Sequence, residues 1–198
     1  MKIKIYSDYV CPFCYLGEQQ LKEVLAEEPG LKVETEWMPF ELRPFPTPTL
    51  KPEDEYLPRV WESSVYPMAE DIGVKIKLPT ISPQPYTHLA FEGYQFAKEQ
   101  GKGEAYTHRL FEAFFKEDKD IGDMEVLSEL AREVGLEPQA YRQAVESRKY
   151  KEQHRQALQE AQRNGIRAVP TFQIGNRLYQ GVIPKAQLRR ILQEAAQE

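Results

Sequence analysis

Charged and apolar residues alternate through Lys2-Ile3-Lys4-Ile5-Tyr6-Ser7, the period of a strand with one buried face. From Phe13 to Glu27 the apolar positions Leu16, Leu21, Val24 and Leu25 fall near one helical face, and Pro29-Gly30 stops the run. Alternation returns over residues 31–37 and predicts a second strand. A β-α-β unit within the first 38 residues implies a parallel pair joined by a right-handed crossover.

Pro39, Pro44, Pro46, Pro48, Pro52 and Pro58 crowd the next stretch, which predicts an irregular surface segment passing into a helix near Glu53. Helical periodicity then dominates to about Asn164, with helices expected over residues 87–100, 103–116, 124–134 and 138–163, the last broken near Ser147. Asp123 is placed to cap a helix, Gly101 and Gly135 to stop one, and Pro138 to open one. Tyr106, Leu110, Phe111, Phe114 and Phe115 form an apolar stripe expected to be the core of this helical block, and Glu53-Asp54-Glu55 reads as a solvated helix start. Residues 171–174 and 177–179 flank Gly175-Asn176 as a β-hairpin, and Pro184 opens a last amphipathic helix through Leu188, Ile191 and Leu192. The fold class is therefore α/β, β-α-β then β-β-α, with a large all-helical insertion. Residues 1–52 and 165–198 form one domain, and residues 53–164 are inserted into it.

The 198 residues are 41% hydrophobic and 29% charged, a globular balance with no apolar run long enough to span a membrane. Lys and Arg number 26 against 31 Asp and Glu, a net charge of −5 without a basic stripe, which argues against a nucleic-acid partner. Strand alternation at the N-terminus, in place of an apolar leader, points to the cytoplasm. Cysteine occurs twice, as Cys11 and Cys14, which excludes a framework of structural disulfides.

The two cysteines fall where the first strand meets the first helix. A thiol at a helix N-terminus faces unpaired N–H groups and the positive end of the dipole, both of which favour the thiolate, the reactive form. Pro12 suits the first helical position, where its missing N–H breaks no bond. Cys14, one turn on, shares the helix face and is close enough for a local disulfide. Unequal roles follow: Cys11 at the exposed tip attacks a substrate disulfide, and Cys14 resolves the mixed disulfide. A zinc site would need two more ligands, and His88, His108 and His154 are not spaced to supply them, so no metal is expected. Those three histidines read as polar surface or capping residues, and Trp37 and Trp61 as aromatic anchors.

By these residues the chain resembles the DsbA-like oxidoreductases of the thioredoxin superfamily, and within them the FrnE-like proteins. Ser7-Asp8-Tyr9-Val10-Cys11-Pro12-Phe13-Cys14-Tyr15-Leu16-Gly17 is similar to that group's opening motif, and Pro39-Phe40-Glu41-Leu42 and Val169-Pro170-Thr171-Phe172 to the next two. The resemblance implies a thioredoxin fold and a cis peptide bond at Pro170 against the cysteine pair. It also implies that Pro12, Phe13, Val169 and Pro170 contact substrate, with Val169 offering backbone hydrogen bonds to a peptide or to glutathione. Protein or low-molecular-weight thiols and disulfides are the implied partners, with glutathione as an implied co-substrate, and no cofactor beyond the Cys11–Cys14 disulfide is expected. The oligomeric state stays open. Thioredoxin-like enzymes often carry a buried acid six residues before the first cysteine; here that residue is Ile5, so the proton of Cys14 needs another route, with Asp8, Glu36 and Glu41 as candidates. Phe13 lacks the polar group of strongly oxidising relatives, which argues against an extreme potential. The alternative is a glutathione-dependent enzyme similar to the kappa-class transferases and 2-hydroxychromene-2-carboxylate isomerases. Those carry Ser in place of the first cysteine, and the presence of both Cys11 and Cys14 weighs against them.

Overall fold

A computed structural model describes residues 1–197. Strand β1 (Lys2–Ser7) leads into helix α1 (Pro12–Glu27) and strand β2 (Glu34–Pro39), which pairs parallel to β1. The second strand starts three residues later than the alternation suggested, because pairing begins where the Glu34 amide reaches the Met1 carbonyl (2.9 Å). Strands β3 (Thr171–Ile174) and β4 (Arg177–Gln180) form the hairpin, and β3 lies antiparallel to β1, so the sheet order is β2-β1-β3-β4. Helix α9 (Lys185–Ala195) closes the chain.

Between β2 and β3 lies a helical run of α2 (Tyr56–Val60), a π-helical turn (Trp61–Val65) and α3 (Tyr66–Asp71), followed by α4 (His88–Glu99), α5 (Gly103–Phe115), α6 (Met124–Glu133), α7 (Pro138–Glu146) and α8 (Lys151–Arg163). The expected punctuation is in place. Asp123 accepts the Val126 amide at 3.0 Å, Gly101 and Gly135 adopt positive φ, and the break near Ser147 is made by Arg148 at φ +58°. No helix among the described residues is long and apolar enough to cross a membrane.

Period two places Ile3, Ile5, Phe172 and Ile174 on one sheet face and Tyr6 on the other. The first face packs into the main core, which also holds Leu21 and Val24 of α1 and Leu188 and Leu192 of α9. The second face is covered by α8, where Tyr6 and Met38 meet Ala161 and Ile166, and Lys4 pairs with Glu160.

The aromatic stripe of α5 is fully buried, but it does not form a separate core as the sequence suggested. Phe111 lies 5.5 Å from Tyr9, 5.8 Å from Tyr15 and 6.0 Å from Trp37 between ring centroids, so strand-end, α1 and β2 residues share one interior with the insertion. A helical stripe announces burial and not the partner it is buried against.

His154 departs from the surface role expected of it. It is buried, stacked on Phe91 (5.4 Å, 14°), with Nε2 3.3 Å from Glu41 Oε1. Helix α8 is mostly polar, and His154 and Ala161 are the residues that it buries. His108 is half-buried between Glu18 and Lys22, and His88 is half-buried beside Phe45 and Tyr86.

Helices α4, α5 and α7 meet at Gly93, where a Cβ would sit 2.2 Å from the Tyr141 hydroxyl and 2.4 Å from that of Tyr106. Those hydroxyls bond each other at 2.7 Å, and Tyr106 donates to the Ala90 carbonyl, so neither ring is free to retreat. Gly93→Ala is expected to destabilise the protein by about 2 kcal/mol, despite the ~1 kcal/mol that Ala gains over Gly within a helix. An unchanged melting temperature would show that the two tyrosines yield without cost.

Candidate active site

Strand β1 ends at Ser7, and the chain turns through Asp8-Tyr9-Val10 into α1, with the Cys11 amide bonded to the Asp8 carbonyl at 3.1 Å. Cys11 is the N-cap of α1 in extended conformation, no side chain caps the helix, and Pro12 holds the first position. The N–H groups of the first turn are thus left to whatever charge Cys11 carries. Its Sγ lies 3.9 Å from the Val169 carbonyl oxygen.

The Val169–Pro170 bond is cis. Pro170 is buried at the entry to β3 and its carbonyl accepts the Gly181 amide at 2.8 Å. Gly17, one turn beyond Cys14, lets α1 approach this segment. A Cβ there would lie 3.3 Å from Phe172 and 3.4 Å from Pro170, inside ordinary contact distance.

A cleft of about 370 Å³ opens beside Cys11. One wall comes from the strand ends and α1, with Asp8, Cys11, Pro12, Phe13, Leu42 and Val169. The other comes from the long connection after β2 and the insertion, notably Tyr56, Leu57, Trp61, Gln84 and Thr87, with Arg43 also contributing. Cys11, Pro12, Phe13 and Val169 therefore meet at one surface, while Cys14 and Pro170 stand behind it. Cys11 is 5% exposed and not the open tip that its position suggested, because the insertion covers the helix end. The apolar wall around Trp61 has no local motif; periodicity in the Pro-rich stretch is too weak to show it.

Cys14 is 1% exposed, and both thiols are unbonded. Burial first, then the neighbouring Cys11, push the Cys14 thiol well above the ordinary cysteine range, partly offset by the Ser7 side chain and the Asp8 backbone. Asp8 is buried, and desolvation raises its carboxyl from the ordinary 3.8 to about 6 even though Oδ2 accepts the Leu42 amide at 2.8 Å. Among the described residues no group of three or more His, Cys, Asp and Glu is arranged to hold a metal ion.

Residues 2–193 match the DsbA-like thioredoxin domain family. This chain belongs to that family. It is 50% identical over 185 residues to the uncharacterized protein YwbO of Bacillus subtilis (strain 168), covering 92% of this chain and 91% of that one. In structure it is similar to a probable DsbA oxidoreductase from Streptomyces coelicolor, with TM-score 0.78, 24% identity, and coverage of 100% and 91%. It is also similar to the cytosolic disulfide reductase DsbM of Pseudomonas aeruginosa solved with GSH, with TM-score 0.74, 17% identity and full coverage of both chains. A 2-hydroxychromene-2-carboxylate isomerase has TM-score 0.75 and 18% identity, with 100% and 94% covered. At these identities the structural likenesses show the thioredoxin-like fold, and family membership supports an oxidoreductase-type enzyme.

The raised Asp8 has a signed consequence for stability. Between pH 3.8 and about 6 the folded protein holds a proton that the unfolded chain has released, so this group's contribution falls as pH rises and stays unfavourable above 6. Two pKa units correspond to about 3 kcal/mol. Asp8→Asn, which keeps an acceptor for the Leu42 amide, is expected to be more stable than wild type at pH 7 by up to that amount and to lose the advantage below pH 4. Urea unfolding at pH 3.5, 5 and 7 measures it; an equal difference at all three would show that Asp8 does not titrate differently on folding.

Proposed function

We propose that this protein is a cytoplasmic thiol–disulfide oxidoreductase in which Cys11 is the nucleophile and Cys14 the resolving thiol. The observation that carries the reading is their division of place: Cys11 caps α1 at the cleft, and Cys14 sits one turn behind it, sealed from solvent. The Cys11 thiolate attacks a substrate disulfide, one substrate sulfur leaves as a thiolate, and the other stays bound to Cys11. Cys14 then attacks Cys11, the second substrate sulfur leaves, and the pair is oxidised as the substrate is reduced; run backwards, the same steps oxidise a dithiol. The high pKa of Cys14 keeps it protonated until it is needed, so the first attack falls to Cys11.

Pro12, Phe13 and Val169 are the contacts we assign to the substrate, with Pro170 fixing the Val169 carbonyl beside Cys11. The dithiol itself is the only redox group required. Glutathione is a suitable co-substrate, a reading supported by the GSH in the structure of the Pseudomonas aeruginosa disulfide reductase and by the small size of the cleft. A chain with no cysteine outside the pair suits a reducing compartment, and reduction of disulfides is the direction we assign.

In glutathione redox buffers, with acid quench and mass readout, the Cys11–Cys14 bond is expected to form and break reversibly between about −120 and −270 mV, toward the lower end for a reductant. Cys14→Ser is expected to accumulate a mixed disulfide on Cys11, and Cys11→Ser to lose exchange altogether. At pH 7 an alkylating agent should modify Cys11 at least tenfold faster than Cys14. A pair that never oxidises, together with glutathione conjugation that survives Cys14→Ser, would replace this reading by the transferase or isomerase type.

A further inference from the structure

The wall that faces Cys11 across the cleft carries two polar side chains that the fold leaves unused. Gln84 is 7% exposed and lines the cleft. Its backbone N–H donates to the Leu50 carbonyl at 2.8 Å, but its side-chain carboxamide bonds to none of the described residues. The polar atoms of that carboxamide are not sealed inside the protein; they open on the cleft. A carboxamide so far withdrawn from water and left without a partner is costly, which makes it unlike an ordinary surface glutamine.

Gln84 is also held in place. Pro83 and Pro85 flank it and restrict its backbone. The Tyr86 hydroxyl donates to the Thr47 carbonyl at 2.9 Å and the Ser82 hydroxyl to Glu53 at 2.7 Å, so the segments on either side of the cleft rim are fastened to each other.

Arg43 is the one Lys or Arg of the lining, and it forms no ion pair with any described residue. Arg109, Arg142 and Arg148, by contrast, each hold a glutamate of the protein. The one acid of the lining is Asp8, whose Oδ2 accepts the Leu42 amide and whose Oδ1 is sealed from solvent, so neither oxygen neutralises Arg43. A free guanidinium and a free carboxamide thus share a cleft of about 370 Å³ with a nucleophilic thiol that is itself only 5% exposed. A space of that size beside so enclosed a sulfur suits a small molecule better than a loop of a folded protein.

We propose that Gln84 and Arg43 form a specificity subsite for a small peptide-like disulfide, Gln84 bonding an amide and Arg43 a carboxylate of the half that joins Cys11. The proposal rests on the oxidoreductase reading and names its substrate class. A carboxamide donates and accepts at once, which matches the C=O and N–H of an amide, and a guanidinium presents a planar fork to a carboxylate. The Cys11 thiolate forms a bond to one substrate sulfur, and the other sulfur leaves with the bonding electron pair. Gln84 and Arg43 take no part in that exchange. They hold the retained half in the cleft and so decide which disulfides react well.

The test uses the Cys14→Ser protein, in which the mixed disulfide on Cys11 is trapped and its rate of formation is read by mass. Three probes separate the groups: oxidised glutathione, the same disulfide with all its carboxylates esterified, and hydroxyethyl disulfide, which has neither amide nor carboxylate. Arg43→Gln and Gln84→Met are each expected to slow oxidised glutathione about tenfold and to leave hydroxyethyl disulfide unchanged. The ester should react with the parent protein as slowly as oxidised glutathione does with Arg43→Gln. It should be indifferent to Arg43→Gln and still slowed by Gln84→Met. Arg43→Lys, which keeps the charge without the fork, should recover part of the rate. Equal slowing toward all three probes, or none in either variant, overturns the subsite and leaves the oxidoreductase reading standing. Slowing in one variant alone overturns the role of the other residue. A protein with both cysteines that forms neither a mixed disulfide nor a Cys11–Cys14 bond with any probe overturns both.

Discussion

Phe111 stands where three parts of the chain meet: Tyr9 from the turn before the cysteines, Tyr15 from α1 and Trp37 from β2. Phe115, one turn on, stacks on Tyr15 at 5.6 Å and touches Trp61 at 5.9 Å. Large rings buried together contribute through their area and again through their offset and edge-on geometry. This seam fastens the insertion to the sheet. Because Trp61 belongs both to the seam and to the cleft wall, the position of that wall over Cys11 depends on it.

The cleft is where the fold departs from its own economy. A helix start without a capping side chain, an aspartate without a partner on one oxygen and a thiol forced to stay protonated each work against stability. All three fall within the short run from Asp8 to Cys14. Single departures of the same kinds occur elsewhere, at the Trp37 indole nitrogen, the Ser128 hydroxyl and the uncapped starts of α4 and α5, but there they are scattered and here they meet beside one cleft.

Much of this was legible in the chain. The pairing of Ile3 and Ile5 with Ile174 and Phe172 follows from period-two alternation, and α1 follows from Pro12 and the apolar positions after it. Cys11 and Cys14 stand out because few residue types have their chemistry. The bounds of β2 were not legible, since Leu31 and Val33 alternate as well as Trp37 does but have no partner strand beside them. The burial of His154 was invisible for a related reason: on a polar helix an imidazole reads as solvent-facing until Phe91 and Glu41 are brought to it from distant segments.

Local order, the punctuation of helices and the placing of the cysteine pair at the start of α1 were determined by the sequence alone, because each depends on residues within a turn or two of one another. Which aromatic meets which, and the burial of Asp8 beside Cys11 while Glu36 pairs with lysines and Glu41 faces His154, were decided only by the tertiary structure. Those outcomes depend on desolvation and on contacts between residues dozens of positions apart. Neither is encoded in the neighbours of any single residue.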